Sequence, residues 1–276
     1  MPDAVPPLYL ATAIEAVIRA GEVQMAHFGR DVRVEKKGTI DLVTQIDRDV
    51  ERGFRDMIAQ RFPSHVVLGE EFEEPGQRER APEFCWVFDP VDGTTNYAHG
   101  LPIFCSSLAL EIRGEAAVAA VYDPTRDELY TAVRGEGAWL NGARLRVSSA
   151  TTLIDSLLCT GFPYTVQRDP AALVALFGEF IARARAVRRL GSAALDLCYV
   201  AAGRFDGFYE RHLQPWDIAA GALIVAEAGG TVTSATGSPF TSREGSVLAS
   251  NGHIHRQMVD TIVDVDVRLR SRNWTE

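Results

Sequence analysis

Apolar residues recur at helical spacing from Leu8 to Phe28, at Ala11, Ile14, Val17, Ile18, Met25 and Phe28, and Gly29 follows where a helix would stop. A second amphipathic stretch runs from Thr44 to Phe62 through Ile46, Val50, Phe54, Met57 and Ile58. Thr44 is placed to cap it, Asp47 falls in its first turn, and Pro63 closes it. The period then shortens. Val66 to Leu68 and Cys85 to Phe88 are brief runs of β-branched or aromatic residues that lead straight into acidic ones. Segments 104–112, 116–122 and 129–133 read as an antiparallel meander, punctuated by Arg113-Gly114 and Asp123-Pro124. Beyond residue 150, helices are predicted at Ala171 to Ala186, Ala193 to Ala202 and Trp216 to Ala228, the last ended by Gly229-Gly230, with strands between them. No repeat, low-complexity tract or Pro/Ser-rich linker interrupts the chain. An N-terminal α+β half (1–150) and a C-terminal α/β half (151–276) would therefore share an interface rather than hang on a tether.

Composition narrows the chemistry. With 46% hydrophobic residues over 276, the chain can bury a large core, and a disordered state is excluded as the dominant one. The net charge of -9 disfavours a broad nucleic-acid face. An acidic protein that handles phosphates needs local positive charge, and divalent cations invert the field within a site. Cys85, Cys105, Cys159 and Cys198 are widely spaced among apolar neighbours and form no paired motif, so they are expected as reduced core residues. Met1 to Pro7 carries no basic-then-apolar leader, and the longest apolar run, Ile218 to Ala226, is too short to span a bilayer. A cytoplasmic protein without membrane contact is expected.

The segment with most chemical content is Asp89-Pro90-Val91-Asp92-Gly93-Thr94-Thr95. Pro90 can fix the backbone so that two carboxylates converge, Val91 can offer its carbonyl oxygen, and Gly93 can let the backbone approach a phosphate. Taken alone it is also an ordinary Asp-Gly turn. Gly69-Glu70-Glu71 follows a short strand, although Glu pairs on loops are usually solvated. Asp217 opens an apolar helix, where an acid ordinarily serves the helix dipole. Together Glu70, Asp89, Asp92 and Asp217 form a set of hard oxygen donors of the kind Mg²⁺ prefers, with neither His nor Cys nearby to draw zinc.

Five ordered segments carry a resemblance over nearly the whole chain: Asp41 to Asp47, Gly69-Glu70-Glu71, Trp86 to Tyr97, Gly191-Ser192-Ala193-Ala194, and Trp216-Asp217 leading to Gly230. In these the chain resembles the inositol monophosphatase family. The resemblance implies a layered α/β fold, an αβαβα sandwich of the inositol monophosphatase and sugar phosphatase type. It implies that Glu70, Asp89 and the Val91 carbonyl hold one Mg²⁺ and that Asp89, Asp92 and Asp217 hold a second, with a third ion near Glu70 optional. Asp47 and Thr94 match the pair that orients and deprotonates the attacking water, Glu70 counts with them as catalytic, and Lys36 matches a loop lysine over the site. Substrate contacts fall to Asp92, Gly93, Thr94, Gly191, Ser192, Ala193, Glu210 and Asp217. The implied partner is a small phosphate ester, inositol monophosphate first, with histidinol phosphate, fructose 1,6-bisphosphate and 3′-phosphoadenosine 5′-phosphate as alternatives. Lithium inhibition and a homodimer are also implied. A rival of another class is a non-catalytic member that binds an RNA or transcription partner; its mark would be a lost ligand, and here every ligand position is filled. The basic pair Arg188-Arg189 is expected to meet core-edge acids, and His253 and His255 are expected to be exposed.

Overall fold

The computed structural model describes residues 5–30, 34–36, 42–72, 82–167 and 170–272. Its organising unit is a seven-stranded sheet made of β3 (Val66–Gly69), β4 (Phe84–Asp92), β5 (Cys105–Ile112), β6 (Glu115–Asp123), β7 (Glu128–Val133), β8 (Gly137–Leu140) and β9 (Ala143–Arg144), in that spatial order. The β3–β4 pair is parallel and the remainder is an antiparallel meander. Alternation along the strands sorts side chains between two layers, as period 2 requires. Trp86, Phe88, Leu108, Leu110, Val118 and Ala120 face one side and meet α1 (Pro7–His27) and α2 (Gln45–Arg61) through Ala13, Val17, Val50 and Phe54. Cys85, Val87, Ala109, Ala119 and Val121 face the other.

That second face is lined with small residues, and helices α5 (Ala193–Ala201) and α6 (Pro215–Glu227) pack closely against it. Both helices are apolar all round because they are covered on both sides. Their far side meets a five-stranded sheet, in the order β11 (Ala186–Arg188), β10 (Leu157–Thr160), β12 (Gly207–Arg211), β14 (Ser246–Ser250) and β13 (Thr231–Thr233). Here too parity decides the layer: Cys159, Phe208, Val247 and Ala249 face inward, whereas Leu158, Tyr209 and Leu248 face outward onto α4 (Pro170–Arg183) and α7 (His255–Arg272). The result is five layers, αβαβα, as expected from the resemblance. A small hairpin, β1 (Val34–Lys36) with β2 (Leu42–Thr44), precedes α2.

Several local expectations need correction. The helix predicted to Ala186 ends at Arg183, and residues 186–188 instead extend the second sheet by pairing with β10, so backbone pairing overrides the helical spacing. Strand β4 continues past Phe88 to Asp92. The amphipathic helix α7 was not foreseen; its buried positions Met258, Ile262 and Val265 are diluted by charged neighbours. His255 is half-buried rather than exposed, bonded through Nδ1 to Ser250 and through Nε2 to Thr233, and burial lowers its pKa. The side chains of Lys36 and Thr44 lie outside the described residues, and with them the proposed loop contact and helix cap. All four cysteines are buried and free.

Candidate active site

Asp89 and Asp92 are three residues apart, so a regular strand would point them to opposite faces. Asp89 pairs with Ser107 and Asp92 with Cys105, three steps on β4 against two on β5, and this extra residue restores both carboxylates to one side. Pro90 supports the bulge because it has no N–H to leave unpaired. Its carbonyl accepts from Gln24 Nε2 at 2.7 Å and from Ser106 Oγ at 3.0 Å. Asp89 Oδ1 accepts the Val91 N–H at 2.9 Å. Gly93 then turns the chain with φ of 99° into the short helix α3 (Thr94–Ala98), and a side chain there would press on the Ile103 carbonyl.

These residues open onto a cavity of about 590 Å³ between the two sheets. Its wall brings together Glu70, Asp89, Val91, Asp92, Gly93 and Thr94 from the N-terminal half with Gly191, Ser192, Ala193, Glu210 and Asp217 from the C-terminal half. Asp92 ties the halves directly: its Oδ2 accepts from Ser192 Oγ at 2.6 Å and from the Ala194 N–H at 2.7 Å, at the N-terminus of α5. Asp217 is presented by α6, whose start is held to β5 by Ser107 Oγ donating to the Trp216 carbonyl. Its Oδ2 accepts the Gln214 N–H at 2.7 Å, so it also serves as the capping acid that its position suggested. Asp47 is fully buried and does not border the cavity; it stands behind Thr94, whose hydroxyl lies 3.2 Å from Asp47 Oδ1 and 2.9 Å from the Val91 carbonyl.

The electrostatics of the wall favour cations. Burial, and then the charges of Glu70, Asp92, Asp217 and Asp47, push the Asp89 carboxyl well above its ordinary range. Burial raises Asp92 as well, against the lowering effect of its hydrogen bonds from Ser192 and Ala194. Among the described lining residues, Arg189 and His212 are the basic side chains, and neither is placed among these acids by an ion pair. Among the described residues no three Asp, Glu, His or Cys side chains are already closed into a chelate. The donor set nonetheless fits Mg²⁺: four carboxylates and a carbonyl oxygen border one cavity, and the neighbouring acids add to burial in raising Asp89.

Glu210, which also lines the cavity, sits on β12 against Gly161, where a methyl group would overlap its carboxylate. Burial and the nearby Asp196 raise its pKa to about 8, with Arg189 opposing. A carboxyl raised from 4.5 to about 8 holds its proton more tightly folded than unfolded. Its contribution is fully present below pH 4.5 and is lost as pH rises through 8, by up to about 5 kcal/mol at 1.36 kcal/mol per pKa unit. Glu210→Gln cannot ionise, so its urea-unfolding free energy should fall less than that of the wild type between pH 5 and pH 8.5. Parallel pH dependences would show that Glu210 does not carry this proton.

Several residues of the site were not foreseen. Glu51, fully buried on α2, accepts from the Glu71 N–H at 2.7 Å and the Phe72 N–H at 3.2 Å and so holds the turn bearing Glu70. Gln24 supports the bulge from α1, and Asp196 borders the cavity floor. Glu51 had a readable signal: with Asp47, it falls on the apolar face of Ile46, Val50 and Phe54, where a charged residue requires partners.

A layered αβαβα fold with an acidic, oxygen-rich cavity between its two sheets defines a class of proteins suited to divalent cations and anionic small molecules. The family model "Inositol monophosphatase family" matches residues 8–266, and the chain belongs to that family. It is 42% identical over 257 residues to the Nus factor SuhB of Salmonella typhimurium, covering 92% of this chain and 96% of the relative. It is equally 42% identical over 255 residues to the inositol-1-monophosphatase of Rhizobium meliloti, covering 92% and 95%. The solved inositol monophosphatase of Anabaena superposes with a TM-score of 0.84 at 38% identity, covering 93% of this chain and 96% of that one.

Proposed function

We propose that this chain is a Mg²⁺-dependent phosphatase that hydrolyses a phosphate monoester of a small polyol, inositol monophosphate first. The observation that carries it is the convergence of Glu70, Asp89, Asp92 and Asp217 with Thr94 on one cavity wall, within a chain of this family. Glu70, Asp89, Asp92, Asp217 and the Val91 carbonyl would hold two Mg²⁺, with a third optional. When bound, Mg²⁺ supplies positive charge to the phosphoryl oxygens and lowers the pKa of water. Thr94 has one hydroxyl proton between two acceptors, so its oxygen can accept a hydrogen bond from the attacking water. Asp47 behind it takes up the proton that the water releases. Water oxygen bonds to phosphorus, the ester P–O bond breaks, and the departing alkoxide takes a proton from solvent to leave as the alcohol. The α5 N-terminus at Ser192 to Ala194 holds Asp92 and presents backbone donors, and Glu210 accepts from hydroxyls of the organic end.

Similarity to a protein named Nus factor SuhB supports a second role as a binding protein, alongside activity rather than instead of it, because Asp47, Glu70, Asp89, Asp92, Thr94 and Asp217 are all present. Buried free cysteines support a reducing, cytoplasmic setting, and no helix among the described residues is long and apolar enough to cross a membrane. A homodimer inhibited by lithium completes the proposal. The test is a panel of inositol 1-phosphate, histidinol phosphate, fructose 1,6-bisphosphate and 3′-phosphoadenosine 5′-phosphate, with Mg²⁺ and with EDTA. The highest kcat/KM is expected for inositol 1-phosphate, and EDTA should abolish turnover. Phosphate release from none of the four would refute the phosphatase function.

A further inference from the structure

Glu51 is fully buried on α2, one turn after Asp47, and it is not among the residues lining the cavity. Its two oxygens are turned instead to the loop that follows β3: Oε2 accepts from the Glu71 N–H at 2.7 Å and Oε1 from the Phe72 N–H at 3.2 Å. Arg55, a further turn along the helix, closes the arrangement. Its Nε donates to Glu51 Oε1 at 2.8 Å, and its other two nitrogens donate to the carbonyls of Val67 at 3.1 Å and Phe72 at 2.6 Å. The backbone is thus gripped on both sides of Glu70. Gly69 completes the fit, because a side chain there would overlap the Glu51 carboxylate.

A buried carboxylate is costly unless a counter-charge and hydrogen bonds meet it, and here both come from within the protein. Glu51 therefore needs no cation of its own. What it reaches is the peptide that follows Glu70, and Glu70 heads the charges that act with burial on Asp89. An acid that grips this peptide fixes the direction in which Glu70 leaves the chain toward the cavity. Groups of this kind, one contact removed from the metal ligands, orient those ligands and tune their affinity.

Resting on the phosphatase function proposed above, we propose that Glu51 is a positioning residue: with Arg55 it fixes the turn that presents Glu70, and so sets how tightly Mg²⁺ is held there, without lining the site itself.

The test uses the full chain. Glu51→Gln keeps the shape but turns an amide NH₂ toward a backbone N–H or toward Arg55, so one contact becomes donor against donor. Calorimetric titration with Mg²⁺, without any ester, is expected to show affinity about 10–100-fold weaker than in the wild type for at least one ion. Amide hydrogen exchange over residues 69–72 without Mg²⁺ should be faster, with that of β5 and β6 unchanged. In turnover of inositol 1-phosphate the half-saturating Mg²⁺ concentration should rise by the same factor, while most of the wild-type kcat returns at saturating Mg²⁺. A merely structural loss would lower the unfolding temperature and leave the Mg²⁺ titration of the folded protein unmoved. Should Glu51→Gln fail to fold, Arg55→Lys decides by the same titration, because a compact ammonium does not span the three acceptors as the planar guanidinium does. Wild-type Mg²⁺ affinity in a folded variant overturns this role for Glu51 and leaves the phosphatase function standing; a wild type that binds no Mg²⁺ and releases no phosphate refutes both.

Discussion

Asp92→Asn is expected to lower kcat/KM for inositol 1-phosphate by about two to three orders of magnitude, the scale seen when one electrostatic contact of a reacting centre is removed. The fold should survive. Asparagine Oδ1 can still accept from Ser192 Oγ and the Ala194 N–H, the two bonds that join the layers at this point. Loss of the negative charge also relieves repulsion of Asp89, whose carboxyl is pushed up partly by Asp92. Stability measured by urea unfolding without Mg²⁺ should therefore be unchanged or slightly higher, while activity collapses and the half-saturating Mg²⁺ concentration rises. A variant with wild-type turnover and wild-type Mg²⁺ dependence would show that Asp92 neither holds metal nor faces the reacting ester.

The Thr94 and Asp47 pair makes a different prediction, about coupling. Asp47 is not among the residues lining the cavity, and the Thr94 hydroxyl, 3.2 Å away, links it to the cavity wall. Thr94→Ala and Asp47→Asn should each reduce kcat by about 10²–10⁴-fold, the usual share of acid–base assistance. The double variant should be no slower than the slower single, because groups that act as a unit are not additive. Thr94→Ser keeps the hydroxyl and should retain most of the rate. Steady-state kinetics of the four variants checks this, and multiplicative losses would mean that the two residues act separately.

How much of this was legible beforehand depended on the reach of each interaction. The two N-terminal helices, the meander and α6 announce themselves because their periodicities are local. The Asp89–Thr95 segment is equally compact: seven consecutive residues hold the bulge, the tight turn and the hydroxyl, so its oxygen donors stand out in the sequence itself. Gln24 was invisible because its partner Pro90 is 66 residues away, and nothing about a glutamine in a helix says which carbonyl it will meet. Asp196 was hidden for the same reason, in a helix apolar enough to pass for plain core. The burial of His255 is not legible in the sequence because its two partners come from separate strands of the second sheet. Ala186 departs from its helical spacing because a single edge strand can capture residues whose own preference is helical.

The extra residue in β4 has an evolutionary corollary. Loss of Pro90 or Val91 would leave a straighter strand with a complete ladder, and by fold stability alone such a deletion need not be penalised. A spacing of two in a regular strand also puts both acids on one face, so the deletion would keep the second acid turned toward the cleft. What it would remove is the extra backbone unit between them: of the two carbonyls there, one accepting from Gln24 and Ser106 and the other from Thr94, only one would remain, drawn back toward regular pairing. A lineage that trimmed this irregularity would keep its acid pair and lose the backbone oxygen set between them, which makes strand length here a trait under selection in its own right.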